Sequence, residues 1–251
     1  MKKPLMASAV VIFAAAIIGV LTPGAVAGNG QTKCGSVPAP AAGSTVKGGL
    51  EVDGTCTLIN VTVNGGITVD VTGHLSFQGG SVNGGITVNG GELDVNATTN
   101  GSGAPTGTTA TINGGINFNA GTGLPFADAD IRTATINGGI DFTGALPFSA
   151  PAFCGNDISG AVNFHDISSP YQITFGDPRL GCQANTIHGS LFLTNVTFQP
   201  EVEGNTITGS VFVNATSTEL AGNTIGGNVN CSNGAVILPN EAGDGPTNAC
   251  S

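Results

Sequence analysis

The sequence predicts an all-β fold, a right-handed single-stranded parallel β-helix of about nine turns stapled by disulfides. Three observations predict it. One phrase (aliphatic, any residue, glycine, any residue, apolar, any residue, apolar) returns nine times between Val46 and Cys231. Gly or Pro interrupts almost every stretch after the first residues, so no apolar pattern at helical spacing persists. Six cysteines fall in three successive pairs, each spanning about one repeat length.

Residues 1–27 read as a secretory signal peptide. Lys2 and Lys3 precede an uncharged apolar run from about Ala7 to Leu21, and Ala25-Val26-Ala27 supplies a small-x-small cleavage site. The run is shorter than the ~20 residues a bilayer span needs, and Pro23-Gly24 ends it. Residues 28–251 then form the β-helix domain, secreted to the extracellular space or the cell surface, with no membrane span after cleavage.

Cleavage leaves Lys33, Lys47, Arg132 and Arg179 as the cations against 16 Asp and Glu. Such an acidic chain repels phosphate backbones and anionic lipid, which argues against nucleic acid as a partner. Charged residues are only 9% of the chain, so Asn, Thr, Ser and backbone must carry its solubility.

An even cysteine count in an exported chain points to disulfides. Cys34 with Cys56, Cys154 with Cys182, and Cys231 with Cys250 are the expected pairs, because one repeat length returns the chain beside its starting point. In the chain-entropy account each such loop contributes on the order of 3 kcal/mol. Zinc is a poor rival, since neither Cys-x-x-Cys nor clustered His accompanies them.

The register glycines are Gly48, Gly65, Gly84, Gly114, Gly138, Gly160, Gly189, Gly209 and Gly227. Their intervals run from 17 to 30 residues, the short ones suiting one turn and the long ones implying inserted loops. Stacking the copies aligns two apolar columns. One runs Leu50, Ile67, Ile86, Ile116, Ile140, Val162, Leu191, Val211, Val229. Its partner runs Val52, Val69, Val88, Phe118, Phe142, Phe164, Leu193, Val213, Cys231. Parallel crossovers are overwhelmingly right-handed, which sets the expected hand.

Asn156, Asn185, Asn205 and Asn223 stand two residues before the aliphatic in the last four turns, where earlier turns carry Ser44, Val61, Gly80, Ala110 and Ala134. A corner ladder of amides is the expected role, with a ligand-binding row as the rival. Insertions are expected near 95–110, 120–134 and 143–156, the last two sharing Leu124-Pro125-Phe126 and Leu146-Pro147-Phe148. Binding residues would collect there.

Polysaccharide-cleaving chemistry needs paired carboxylates on adjacent turns, or an acidic Ca²⁺ cluster with a base. Between the two apolar columns stand Glu51, Thr68, Thr87, Asn117, Asp141, Asn163, Phe192, Phe212 and Asn230, where no two acids are neighbours. Asp128, Asp130 and Arg132 share one side of an extended segment and are the candidate ligand-binding residues, a solvated strand face being the simpler reading. Asp177-Pro178-Arg179 reads as a turn. His74, His165 and His188 occupy different registers, so no metal site, catalytic residue or cofactor is assigned. Phe192 and Phe212 interrupt an outward polar row and form a candidate partner patch, unless a loop covers them. Ice binding would need a regular threonine array, and on this row only Thr68 and Thr87 align.

The Gly-Asn-Thr-Ile-Thr-Gly-Ser-Val and Gly-Asn-Thr-Ile-Gly-Gly-Asn-Val phrases, with the Cys231 to Cys250 ending, resemble exported bacterial β-solenoid proteins of unknown function. The Asn-Gly-Gly-Ile phrases are similar, more loosely, to bactofilin-type polymer-forming repeats, which are cytoplasmic and lack these disulfides. Neither resemblance implies a catalytic residue. The expectation is a non-enzymatic structural or interaction protein of the cell envelope or surface, with an envelope polymer or protein as partner and self-association as an option. The alternative is a parallel β-helix polysaccharide lyase or hydrolase.

Overall fold

A computed structural model describes residues 31–96, 109–121, 128–145, 150–197, 199–238 and 246–251. Residues 1–27, read above as a signal peptide, and both Leu-Pro-Phe segments lie outside the described residues, as does most of the 95–110 insertion. Successive turns pair in parallel throughout the strand ladders. One sheet has ten strands, from Thr32–Cys34 to Val229–Ser232. The other has sixteen, in two arms that meet at the long strand His74–Val82. Each turn therefore presents three faces. The first precedes the register glycine, the second follows it, and the third closes the turn.

Both apolar columns stand in the expected register, with Ile67 beside Ile86 and Phe118 beside Phe142. Their members are buried apart from the half-buried Cys231 at the last turn. A third inward column on the first face runs from Val46 to Ile225, and a fourth on the third face includes Phe77, Val95, Ile131, Phe153 and Phe175. Phenylalanines from two faces meet at the centre. Phe118 and Phe142 stack at 4.3 Å, and Phe153 meets Phe164 edge-on at 5.1 Å. Each fully buried phenylalanine stabilises the fold by roughly 1.5–3 kcal/mol.

The phrase Gly204-Asn205-Thr206-Ile207 shows how a turn is written. Gly204 takes φ +68°, a left-handed corner between third and first faces that costs glycine nothing. Asn60, Asn96, Thr133, Gly155 and Gly222 take the same role in other turns. Asn205 then points inward and is fully buried, Thr206 is exposed and Ile207 is buried. The register glycine has a different cause. A Cβ on Gly114 would lie 2.7 Å from the backbone nitrogen of Gly85, so the corner between first and second faces excludes side chains.

The buried asparagines form the expected ladder, extended by one rung. Asn185 donates from its backbone N–H and its Nδ2 to Asn205 Oδ1, at 2.8 and 2.9 Å. Asn205 donates likewise to Asn223, and Asn223 to Asn248 in the C-terminal tail. Each Nδ2 also reaches a carbonyl of the preceding third-face strand, such as Phe175 from Asn205 at 2.7 Å. A second, exposed ladder joins Asn64, Asn83, Asn113 and Asn137, with Nδ2 to Oδ1 distances of 3.0, 2.9 and 2.8 Å.

All three expected disulfides form: Cys34–Cys56, Cys154–Cys182 and Cys231–Cys250. The first and last clamp the two ends. Two sequence expectations need correction. Thr32–Cys34 adds a tenth strand to the second face, hidden because Thr32 replaces the apolar residue of the phrase. The segment 120–134 is not wholly a loop, since Asp128–Arg132 and part of Ala134–Ile136 pair in the sheet.

Removing Asn205 deprives the buried Asn185 groups of their acceptor, whereas Asn83 faces water. Asn205→Ala should cost about 3 kcal/mol. Asn83→Ala should cost less than about 1 kcal/mol. Urea unfolding of both variants beside the parent checks the contrast.

Candidate functional site

Parallel pairing puts residues of equal register side by side on neighbouring turns, about 4.8 Å apart. On the outside of the third face this rule stacks His74, Glu92 and Asp128 in one column. Ser76, Asp94 and Asp130 form the next column, and Arg132 follows Asp130 on its strand. Four carboxylates thus occupy two adjacent strands. Facing acids are therefore present on this molecule, but on a different face from the row between the apolar columns.

The cluster is partly neutralised from within. His74 Nε2 lies 3.0 Å from Asp94 Oδ2, and its Nδ1 lies 3.5 Å from Glu92 Oε2. Arg132 Nε donates to Asp130 Oδ1 at 2.7 Å. The hydrogen bond to Asp94 raises the His74 pKa above the ordinary imidazole value, with Glu92, Asp94 and Asp128 adding attraction. Burial pushes the Asp130 carboxyl up, against the opposing hydrogen bond from Arg132. Burial likewise raises Glu92, the His74 charge opposing it. One ligand atom from each of His74, Glu92 and Asp94 lies within 4.8 Å of the others, a donor set that suits a divalent cation once the imidazole is neutral.

Asp128, Asp130 and Arg132 do share one side of a strand, as the alternation requires. What sequence reasoning missed is the company they keep. His74, Glu92 and Asp94 come from two earlier turns, and the signal available was the pair of alternating strands His-Leu-Ser-Phe and Glu-Leu-Asp-Val aligned with Asp-Ala-Asp-Ile. His165 and His188 sit elsewhere, each beside a carboxylate: His165 Nε2 is 3.1 Å from Asp141, and His188 Nε2 is 2.8 Å from Asp157.

A second acidic group was also missed. Glu201, Glu203 and Glu219 are buried on the third face near the C-terminal end, with one carboxylate oxygen from each within 4.8 Å of the others. The neighbouring Asp177-Pro178-Arg179 segment is the expected turn, Asp177 Oδ1 accepting the Arg179 N–H at 2.9 Å.

The phenylalanine step is real. Phe192 and Phe212 face outward in register, stacked at 4.7 Å with planes 4° apart. Phe212 is 36% exposed and Phe192 half-buried, so among the described residues none closes fully over the pair. Along the same face, a groove of about 460 Å³ runs over Gly85, Gly115, Gly139 and Ala161, beside Thr87, Asn117, Asp141 and Asn163. Among the described residues no helix is long and apolar enough to cross a membrane.

With this geometry in hand, comparison with protein families, curated proteins and solved structures returns no match. The repeat, its register and its surfaces therefore carry the functional reading alone.

The His74 pair has a pH signature. Its folded pKa is raised, so its contribution to stability is complete below the ~6.5 of free imidazole and is lost as pH rises through the folded value. An NMR titration should show the His74 ring titrating above ~6.5 in the parent, and nearer that value in Asp94→Asn.

Proposed function

We propose that this chain is an exported, non-enzymatic solenoid that presents rigid surfaces to an envelope polymer or protein, of the kind its sequence resembles. The observation that supports this reading is the parallel stacking of ten strands on the second face, in register apart from one shift between Thr143 and Gly144 and clamped by a disulfide near each end. Side chains on such a frame hold fixed positions without rotamer cost on binding, which favours recognition of a repetitive partner. Three disulfides accord with an oxidising destination.

A carbohydrate-active reading is favoured by one specific observation. Glu92, Asp94, Asp128 and Asp130 meet on adjacent turns with Arg132 beside them, and two of them are raised in pKa. Different environments for neighbouring carboxylates are how acid and base roles are divided.

The two readings part in one assay. Purified chain is incubated with acidic and neutral polysaccharides, with and without Ca²⁺, and new reducing ends and unsaturated ends are measured. The structural reading expects binding without turnover, unaltered by Asp128→Asn combined with Asp130→Asn. Turnover abolished by that double substitution would overturn it. Sequencing of the protein recovered from culture medium should begin at Gly28.

A further inference from the structure

The first face carries an ordered surface that the second-face row does not. In the tripeptides Thr62-Val63-Asn64, Ser81-Val82-Asn83, Thr111-Ile112-Asn113 and Thr135-Ile136-Asn137 the middle residue is buried and its neighbours point out. Pairing aligns Thr45, Thr62, Ser81, Thr111 and Thr135 into one hydroxyl column over five successive turns. The exposed Asn64 to Asn137 ladder runs parallel to it, two residues further on in the bend that follows each strand. Asp157, paired with His188, ends the neutral stretch, and Thr186, Thr206 and Thr224 resume the column beyond. The threonine array sought on the second face thus exists one face earlier.

We infer that this face binds ice. This goes beyond the envelope partner proposed above and rests only on the rigid exported frame of that reading. The hydroxyl column repeats at about 4.8 Å from turn to turn, and the Asn ladder flanks it in the bend after each strand with the same repeat. Hexagonal ice presents oxygen rows with a repeat close to this one on its prism face. A hydroxyl and an amide each offer donor and acceptor, so the net can join a lattice that requires both. Its members are held in place beforehand. Threonine is stiff at χ1, and each Asn amide is oriented by the next rung. The register glycines beside the ladder keep the surface free of protruding side chains. Charge points the same way. In a chain of net charge −10, these nine positions carry none, while the acidic cluster occupies another face. An ordered row that is neutral from Asn64 to Asn137, with the exposed Lys47 only at its first end, suits a neutral crystal, whereas a protein partner would be expected to use aromatic or Arg anchors.

The test uses the full disulfide-bonded chain without its signal segment, read by thermal hysteresis and by partition into slowly growing ice. The parent should show hysteresis and enter the ice. Thr111→Tyr, at the centre of the column, should lose both, and Thr55→Tyr on the third face should keep both. Circular dichroism and melting establish that each variant is folded. Should Thr111→Tyr fail to fold, Asn113→Asp places a charge on the exposed ladder and should give the same loss. Exclusion of the parent from ice, or hysteresis unchanged in folded Thr111→Tyr or Asn113→Asp, would overturn the inference. So would binding to crystalline cellulose or chitin that Thr111→Tyr abolishes with no ice activity in the parent, which would assign the face to a polysaccharide lattice. None of these results bears on turnover or on the secreted N-terminus, so this inference and the broader reading fail separately.

Discussion

Everything in this molecule depends on parallel backbone pairing of each turn with the next at constant register. Because the pairing is parallel and in phase, residue i of one turn lies beside its counterpart, not beside a complement. Like therefore stacks on like. Inside, that produces aliphatic columns and a phenylalanine cluster whose members touch across faces. At the corner with no room for Cβ it produces a column of glycines. At the opposite corner, left-handed residues turn the chain, and the following asparagine satisfies backbone groups that the bend leaves behind.

The same rule imposes a cost outside. Identical charges stacked at strand spacing repel, so a column of acids needs relief. On the third face His74 and Arg132 provide it, and the carboxylates that remain partly buried are raised in pKa. Along the first-face rows from Thr45 to Thr135 and Asn64 to Asn137 the chain avoids the cost by using hydroxyls and amides, which are self-complementary when stacked. An asparagine both donates to one neighbour and accepts from the other, as the two ladders show. The three faces consequently differ in chemistry: mostly hydroxyl and amide on the first, mixed with a phenylalanine step on the second, acidic on the third.

The glycine of each phrase marks an excluded volume, and the alternation after it marks a strand with one buried side. These signals are local, so the two apolar columns, the cysteine pairs and the buried Asn ladder could be aligned by counting. The third face resisted counting because insertions vary the distance from one phrase to the next. Glu92 and Asp128 are 36 positions apart, though backbone pairing makes them neighbours. Thr32–Cys34 was hidden for a related reason, since its backbone pairs without an apolar residue at the expected place.

The sequence by itself determined a disulfide-stapled parallel solenoid and the inner surface of two of its faces, because burial and excluded volume act at fixed offsets from each glycine. Only the tertiary structure decided which outward side chains meet across turns. That depends on where each inserted loop lets the chain rejoin the stack, and no local spacing records it. The acidic cluster around His74 arises at that level, whereas the hydroxyl and amide rows of the first face stand at fixed offsets before Gly65, Gly84, Gly114 and Gly138.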